Sequence, residues 1–231
     1  MIRPLFSFYG SKWRAARKYP APQHSTIIEP FAGSAGYAVR YPDRQVILCE
    51  RDPVIAELWR YLIASTASEI LSLPLIDTDQ TIDDLDVSAG AKSLIGFWLN
   101  KGSYAPCKRP SKWFRSGYQS YQFWGTEIRA RTAAAVEQIK HWQIIEGDYT
   151  STPDVAATWF IDPPYLEAGR RYKHGSRAID YAHLSRWCRE RAGQVMVCEN
   201  VGAEWLPFEP FIDIKSNHAT KTSREALWCN V

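Results

Sequence analysis

The residues of this chain best equipped for chemistry are Asp162, Pro163, Pro164 and Tyr165. They follow an apolar run, Thr158-Trp159-Phe160-Ile161, which reads as a strand halted by the double proline. An exocyclic amine on a purine is a poor nucleophile, because its lone pair is delocalised into the ring. The Asp162 carboxylate and the Pro163 carbonyl can accept the two amine hydrogens and aim that lone pair at an electrophile. Proline suits the role, since its φ is constrained and it brings no backbone N–H to compete. The gain comes from orientation and from electrostatic stabilisation as positive charge develops on nitrogen. Tyr165 can stack on the ring that carries the amine. The same four residues can also do no more than end a strand and pack a tyrosine.

Several elements must position this run. Thr26 to Glu29 reads as a buried strand leading into Phe31-Ala32-Gly33-Ser34-Ala35-Gly36, whose glycines permit a tight turn and close backbone approach. Val46 to Glu50 is a second apolar strand ending in an acid, and Pro53 can open a helix through VIAELWRYLIAST. Gln143 to Asp148 is a third strand ending in acids. Further strands are expected at Gln194 to Cys198, Phe211 to Ile214 and Ala226 to Cys229, with a helical piece over TEIRARTAAAVEQIKHW. Strands alternating with helices predict a three-layer α/β domain with a parallel sheet. In such sheets ligands bind at the carboxyl ends of the strands.

Gly33, Ser34, Gly36 and Phe31 then stand where a cofactor would be held. Glu50 can accept from ribose hydroxyls and Asp148 from an amino group. The dinucleotide fingerprint GxGxxG is absent, and two acids would repel a phosphate-rich ligand. A cationic sulfonium joined to a nucleoside is the better electrostatic partner.

The 231 residues are enough for one large core, and a net charge of +3 permits nucleic-acid binding without requiring it. Five scattered cysteines carry neither metal-ligand spacing nor a disulfide pattern, so no metal is expected and reduced thiols are. No secretion signal or membrane span is evident in the sequence. Between Lys92 and Gly125 bases alternate with aromatics, interrupting the strand–helix alternation. The acidic run Asp77 to Asp86 is expected to be an exposed linker facing away from any nucleic acid.

With these residues in order, the chain resembles the Dam-like (D12) class of adenine-N6 DNA methyltransferases, particularly small phage or prophage members. Phe8-Tyr9-Gly10-Ser11-Lys12 is similar to the family's amino-terminal cofactor motif, with Ser11 in place of its second glycine. Glu29 to Gly36 is similar to the methionine-side loop, Asp162 to Tyr165 to the catalytic tetrapeptide, and Ser223 to Trp228 to the late arginine–glutamate block. The resemblance implies a class I S-adenosylmethionine-dependent methyltransferase fold, Rossmann-like, with a small inserted recognition region. It implies S-adenosyl-L-methionine as cofactor, held by Tyr9, Lys12, Phe31, Gly33, Ser34, Gly36, Glu50 (ribose) and Asp148 (adenine amine). Asp162, Pro163, Pro164 and Tyr165 become catalytic, and an Arg224–Glu225 brace is expected at the rim of the site. Residues 1–75 and 140–231 form the cofactor-binding and catalytic part, and 76–139 the recognition region and its connecting helix.

The implied partner is double-stranded DNA, with a flipped-out adenine as the acceptor. Lys101, Lys108, Arg109, Lys112 and Arg115, with Trp113 and Tyr118, and then Arg170, Arg171 and Lys173, are the candidate DNA contacts. His174 and Arg177 extend the second cluster, and His174 lacks partners for a proton-transfer role. A monomer suffices, and a cytoplasmic location in a bacterial or phage-infected cell goes with the resemblance. Two alternatives stay open: a methyltransferase for cytosine N4 or an RNA adenine, and a catalytically silent DNA-binding module. Asp at position 162, where cytosine-N4 enzymes more often carry Ser, favours adenine.

Overall fold

Apolar residues on both faces of the central strands call for a sheet covered on both sides. In the computed structural model, residues 1–117, 120–215 and 222–230 are described. The strands are β1 (Thr26–Glu29), β2 (Gln45–Glu50), β3 (Gln143–Glu146), β4 (Ala157–Ile161), β5 (Gly193–Asn200), β6 (Glu209–Lys215) and β7 (Thr222–Cys229). They form one sheet in the order β3-β2-β1-β4-β5-β7-β6. The first five pair in parallel. β7 lies antiparallel between β5 and β6.

The period of two along each strand divides the core into two layers. Phe160, Ile27, Met196 and Cys198 face the larger cluster, while Trp159, Ile161, Ile28, Val195 and Val197 face the smaller. The larger cluster is covered by α1 (Pro53–Ala64), α2 (Ala67–Ser72), α3 (Ala89–Leu99) and α5 (Thr126–Val136). A short helix, α4 (Lys112–Arg115), meets the larger cluster through Phe114 alone, and α6 (Tyr181–Glu190) covers the smaller cluster through Leu184, Trp187 and Cys188. Asp52 caps α1 at the Val54 N–H, with Pro53 at the first helical position, and Asp180 caps α6 at Ala182 and His183.

Two features depart from the sequence pattern. The helix expected over residues 126–142 ends at Val136. Beyond it the chain bends so that Lys140 donates to the carbonyls of Ile63, Ala64 and Ser65 at the end of α1, and Trp142 is buried in the core. A lysine at a helix C-terminus meets unpaired carbonyls and the negative end of the dipole. Second, much of residues 76–139 belongs to the main core: Leu94, Ile95, Phe97 and Leu99 of α3 are fully buried there.

The chain builds outward from β1 to β2 and β3, then returns to place β4 on the other side of β1. The crevice between the carboxyl ends of β1 and β4 is therefore the point where strand order reverses. The glycine loop follows β1 and Asp162 follows β4, so the topology brings them together.

Candidate active site

The carboxyl ends of β1 to β4 open on a cavity of about 1350 Å³. Pockets for a single small ligand run to roughly 300–1,000 Å³, so this one has room for a nucleoside and a second ring system. Every residue expected to bind cofactor or act in catalysis lines it: Tyr9, Lys12, Phe31, Gly33, Ser34, Gly36, Glu50, Asp148 and Asp162 through Tyr165.

The loop after β1 is held from three directions. Trp59 of α1 donates its indole N–H to the Gly33 carbonyl at 2.8 Å. The Glu50 carboxylate accepts from the Gly33 N–H at 3.0 Å and the Asp52 N–H at 2.9 Å. Ser34 and Ser11 join their hydroxyls at 2.9 Å. Gly33 has φ +45°, and Ala35 follows with φ +50°, in the left-handed region that costs an L-residue about 1–2 kcal/mol. A Cβ on Gly36 would lie 2.7 Å from the Lys12 backbone nitrogen and 2.8 Å from that of Trp13. Gly36 is thus where the amino-terminal turn rests directly on the glycine loop.

Glu50 is raised in pKa by burial, opposed by those backbone N–H groups. Its oxygens keep lone pairs beyond the two bonds they accept. Asp148 spends one oxygen, Oδ1, on the Thr150 N–H and hydroxyl. Phe31 stacks on Tyr149 with centroids 5.5 Å apart, forming an aromatic floor beside Asp148.

Around Asp162 the charges are arranged in a chain. Lys12 is buried, and its ammonium lies 3.0 Å from Asp162 Oδ1 and 3.5 Å from Glu225 Oε1. Tyr19 donates its hydroxyl to Glu225 Oε2 at 2.8 Å. Burial pushes the Asp162 carboxyl up, Lys12 pulls against it, and the net position is about 6. Burial opposes the Lys12 charge, but Asp162 and Glu225 outweigh it and its pKa is raised. Asp162 Oδ1 is buried and faces the Lys12 ammonium, and a carboxylate oxygen so paired still has a lone pair for a further donor. The Lys12 ammonium also lies over the Tyr165 ring, 4.6 Å from its centroid.

The expected Arg224–Glu225 brace does not form. Successive strand residues point to opposite faces. Glu225 is buried against Lys12 and Tyr19, while Arg224 is exposed and 3.7 Å from Asp213. That alternation is available in the sequence. Other supporting residues leave no sequence signal. Glu199, at the end of β5, accepts from the Leu166 N–H and the Trp205 indole through Oε2 and from the Asn200 N–H through Oε1. It thereby fixes the backbone one residue beyond Tyr165. Tyr181 donates to the Pro164 carbonyl, and Gly169 packs so closely on Pro164 that a Cβ would meet it at 2.6 Å.

The segment after Tyr165 crosses the cavity as a strap. Tyr172 donates to the Tyr9 carbonyl at 3.3 Å and packs edge-on to Tyr104 at 4.9 Å, while Lys173 pairs with Asp52 at 2.9 Å. His174 lines the cavity with Nε2 buried and unbonded.

The expected DNA contacts separate into two groups. Lys101 and Lys173 line the cavity. Lys108 instead pairs with Asp83 at 2.7 Å, and Arg109 lowers the pKa of Asp84 behind the backbone and side-chain bonds from Thr81. The acidic run therefore lies beside these bases. Lys112 sits over Trp113, Arg115 donates to the Pro110 carbonyl, Arg170 pairs with Glu167, and Arg171 is exposed. Tyr118 lies outside the described residues.

The strand order 3-2-1-4-5-7-6 with its reversed β7 is that of the class I S-adenosylmethionine-dependent methyltransferases, and this chain has their fold. The fold is consistent with methyl transfer from S-adenosylmethionine in general. No protein-family model matches the chain, and no curated protein matches it. One similar solved structure is described as a conserved hypothetical protein of Streptococcus pyogenes, at 10% identity and a TM-score of 0.42, over 93% of this chain and 89% of that one. At that similarity neither fold nor activity is transferred from it. Among the described residues no helix is long and apolar enough to cross a membrane, and no group of three or more His, Cys, Asp or Glu could hold a metal ion.

Proposed function

We propose that this protein transfers a methyl group from S-adenosylmethionine to N6 of an adenine turned out of duplex DNA. The observation that carries the reading is Asp162 Oδ1: a buried carboxylate oxygen, ion-paired with Lys12 yet with a lone pair to spare, on the wall that also bears Glu50, Asp148 and the glycine loop. Such an oxygen is a ready receptor for an amine hydrogen, and the adjacent Pro163 carbonyl is an acceptor for the second.

The donor residues fit a nucleoside carrying a positive charge. Glu50 would take the ribose hydroxyls, Asp148 the adenine amine through Oδ2, and the Phe31–Tyr149 stack the flat of the ring. Bound there, S-adenosylmethionine supplies an electrophilic methyl carbon. Asp162 and Pro163 hold the acceptor nitrogen with its lone pair directed across the cavity. Tyr165, which lines the cavity, would stack on the target ring, as a flipped base requires. Lys12 keeps Asp162 ionised until the amine arrives, and Asp162 stabilises the positive charge that grows on nitrogen. In this reading residues 76–139 contribute to DNA recognition, and 1–75 with 140–231 to cofactor binding and catalysis.

The test is transfer of radiolabel from S-adenosylmethionine into DNA, with nucleoside digestion. Label is expected in N6-methyladenine. Label confined to cytosine or to RNA would overturn the acceptor assignment, and retained turnover in Asp162→Ala would overturn its role.

A further inference from the structure

Charges on the cavity wall are unevenly matched. Its carboxylates are mostly engaged: Glu29 by the Ala38 N–H, Glu50 by Gly33 and Asp52, Asp52 by Lys173, Asp148 by Thr150, Asp162 and Glu225 by Lys12, and Asp180 by the start of α6. Besides Arg51, a group of four cations on the same wall, Arg3, Arg14, Lys101 and Arg131, forms no ion pair with any carboxylate among the described residues.

These four converge from distant parts of the chain. Arg131 of α5 lies 5.0 Å over the Trp98 ring, and the Trp98 indole donates to the Leu5 carbonyl at 2.9 Å, which ties α5 to the segment bearing Arg3. Lys101 follows α3 in the turn whose Ser103 carbonyl accepts from the Tyr9 N–H. Arg14 stands two residues beyond Lys12 in the turn that holds Asp162. Burial and the neighbouring Arg14 depress Lys101, and burial and Arg3 depress Arg131, with Glu127 the opposing carboxylate. Arg14 is thus close enough to act on Lys101, and Arg3 on Arg131. Arg3, Arg14 and Lys101 are exposed, and the exposed ring of Tyr121 lines the same wall.

We propose that Arg3, Arg14, Lys101 and Arg131 form a phosphate-binding rim that receives the DNA backbone flanking the adenine delivered to Asp162. This rests on the acceptor proposed above and names how the strand is held. Crowded cations without carboxylate partners are relieved by a polyanion, and each phosphate they neutralise releases counterions. The rim also stands next to the catalytic turn, whereas Lys108 and Arg109 have the acidic run beside them.

The experiment is fluorescence anisotropy of a fluorescein-labelled DNA duplex, titrated across a range of salt in the presence of S-adenosylhomocysteine. Wild-type affinity is expected to fall steeply with salt. The double variant Arg14→Gln/Lys101→Gln should bind more weakly and lose about 2 from the slope of log K against log salt, near 0.9 for each phosphate contact. Arg131→Lys should keep the wild-type slope and Arg131→Gln should not. Arg186→Gln, away from the cavity on α6, is the control, and calorimetric binding of S-adenosylhomocysteine checks that each variant is folded. A wild-type slope in the double variant would overturn the rim while methyl transfer to DNA stood. An equal loss in Arg186→Gln would overturn it too, as a general charge effect. Neither DNA binding nor transfer by the wild type would remove the adenine reading itself.

Discussion

The Lys12 ammonium stands 3.0 Å from Asp162 Oδ1, and it reaches there from a turn that precedes the first strand. This pair joins the amino-terminal segment to the end of β4 and sets the ionisation of the proposed amine acceptor. Asp162 stands at about 6 in the free protein, raised by burial and restrained by Lys12. Because the ionised form is required, kcat/KM for the methyl donor should rise with pH and level off above a midpoint near that value. Lys12→Met removes the restraining charge and should move the midpoint upward. A wild-type profile flat from about pH 5 to 8, or a variant midpoint shifted downward, would refute the pairing's role.

Gly36 allows two backbones to touch. A Cβ there would press on the Lys12 and Trp13 nitrogens, neither of which can swing aside as a side chain would. Gly36→Ala should therefore destabilise the protein by about 1–3 kcal/mol in urea unfolding and weaken donor binding by displacing the amino-terminal turn. Gly117→Ala is the comparison: φ is +68° with open space around it, so it should cost about 1–2 kcal/mol and leave donor affinity unchanged. Equal effects on donor affinity would show that the Gly36 contact is not specific.

Much of this arrangement is legible in the sequence, and the rest is hidden for definite reasons. The strands β1, β4 and β5 are readable because parallel strands buried on both faces are short apolar runs bounded by turns. The glycine loop, Glu50, Asp148 and Asp162 all come at strand ends, so knowing the strands is enough to bring them together. Charge clusters are harder. Lys108 and Arg109 stand out because they are adjacent in sequence, yet they lie beside Asp83 and Asp84. Arg3, Arg14 and Arg131 come from separate stretches of the chain and reach one cavity wall only through the packing of α3 and α5 on the amino-terminal segment. Glu199 and Tyr181 are unreadable for the same reason, since their bonds reach from β5 and α6 to the segment that follows β4.

Glu199 gives that point a measurable form. Its two oxygens accept three N–H groups, among them Leu166 directly after the proposed catalytic run. Glu199→Gln presents an amide N–H₂ where an acceptor is needed, so at least one bond is lost. The expected cost is about 1.5–3 kcal/mol of stability, as for a hydrogen bond to a charged group. Turnover should fall while donor affinity stays near wild type, because the defect lies behind Tyr165 and away from Glu50. Loss of donor affinity with normal turnover would contradict this placement.

Glu29 offers a test through stability alone. It is 2% exposed, accepts from the Ala38 N–H at 2.6 Å, and burial raises it from 4.5 to about 8, with Asp162 adding to the shift. A carboxyl raised on folding binds its proton more tightly in the native state. Its contribution is therefore fully present below its unfolded value and is lost as pH climbs through the folded one. The window runs from 4.5 to about 8. Glu29→Gln removes the titration and keeps an oxygen for Ala38. The variant should match the wild type at low pH and become more stable by a few kcal/mol, as an order of magnitude, above the window. Paired urea melts at the two ends of the window measure the difference. A gap that is constant with pH would mean that Glu29 does not titrate on folding, and a gap that narrows as pH rises would reverse the sign derived from its burial.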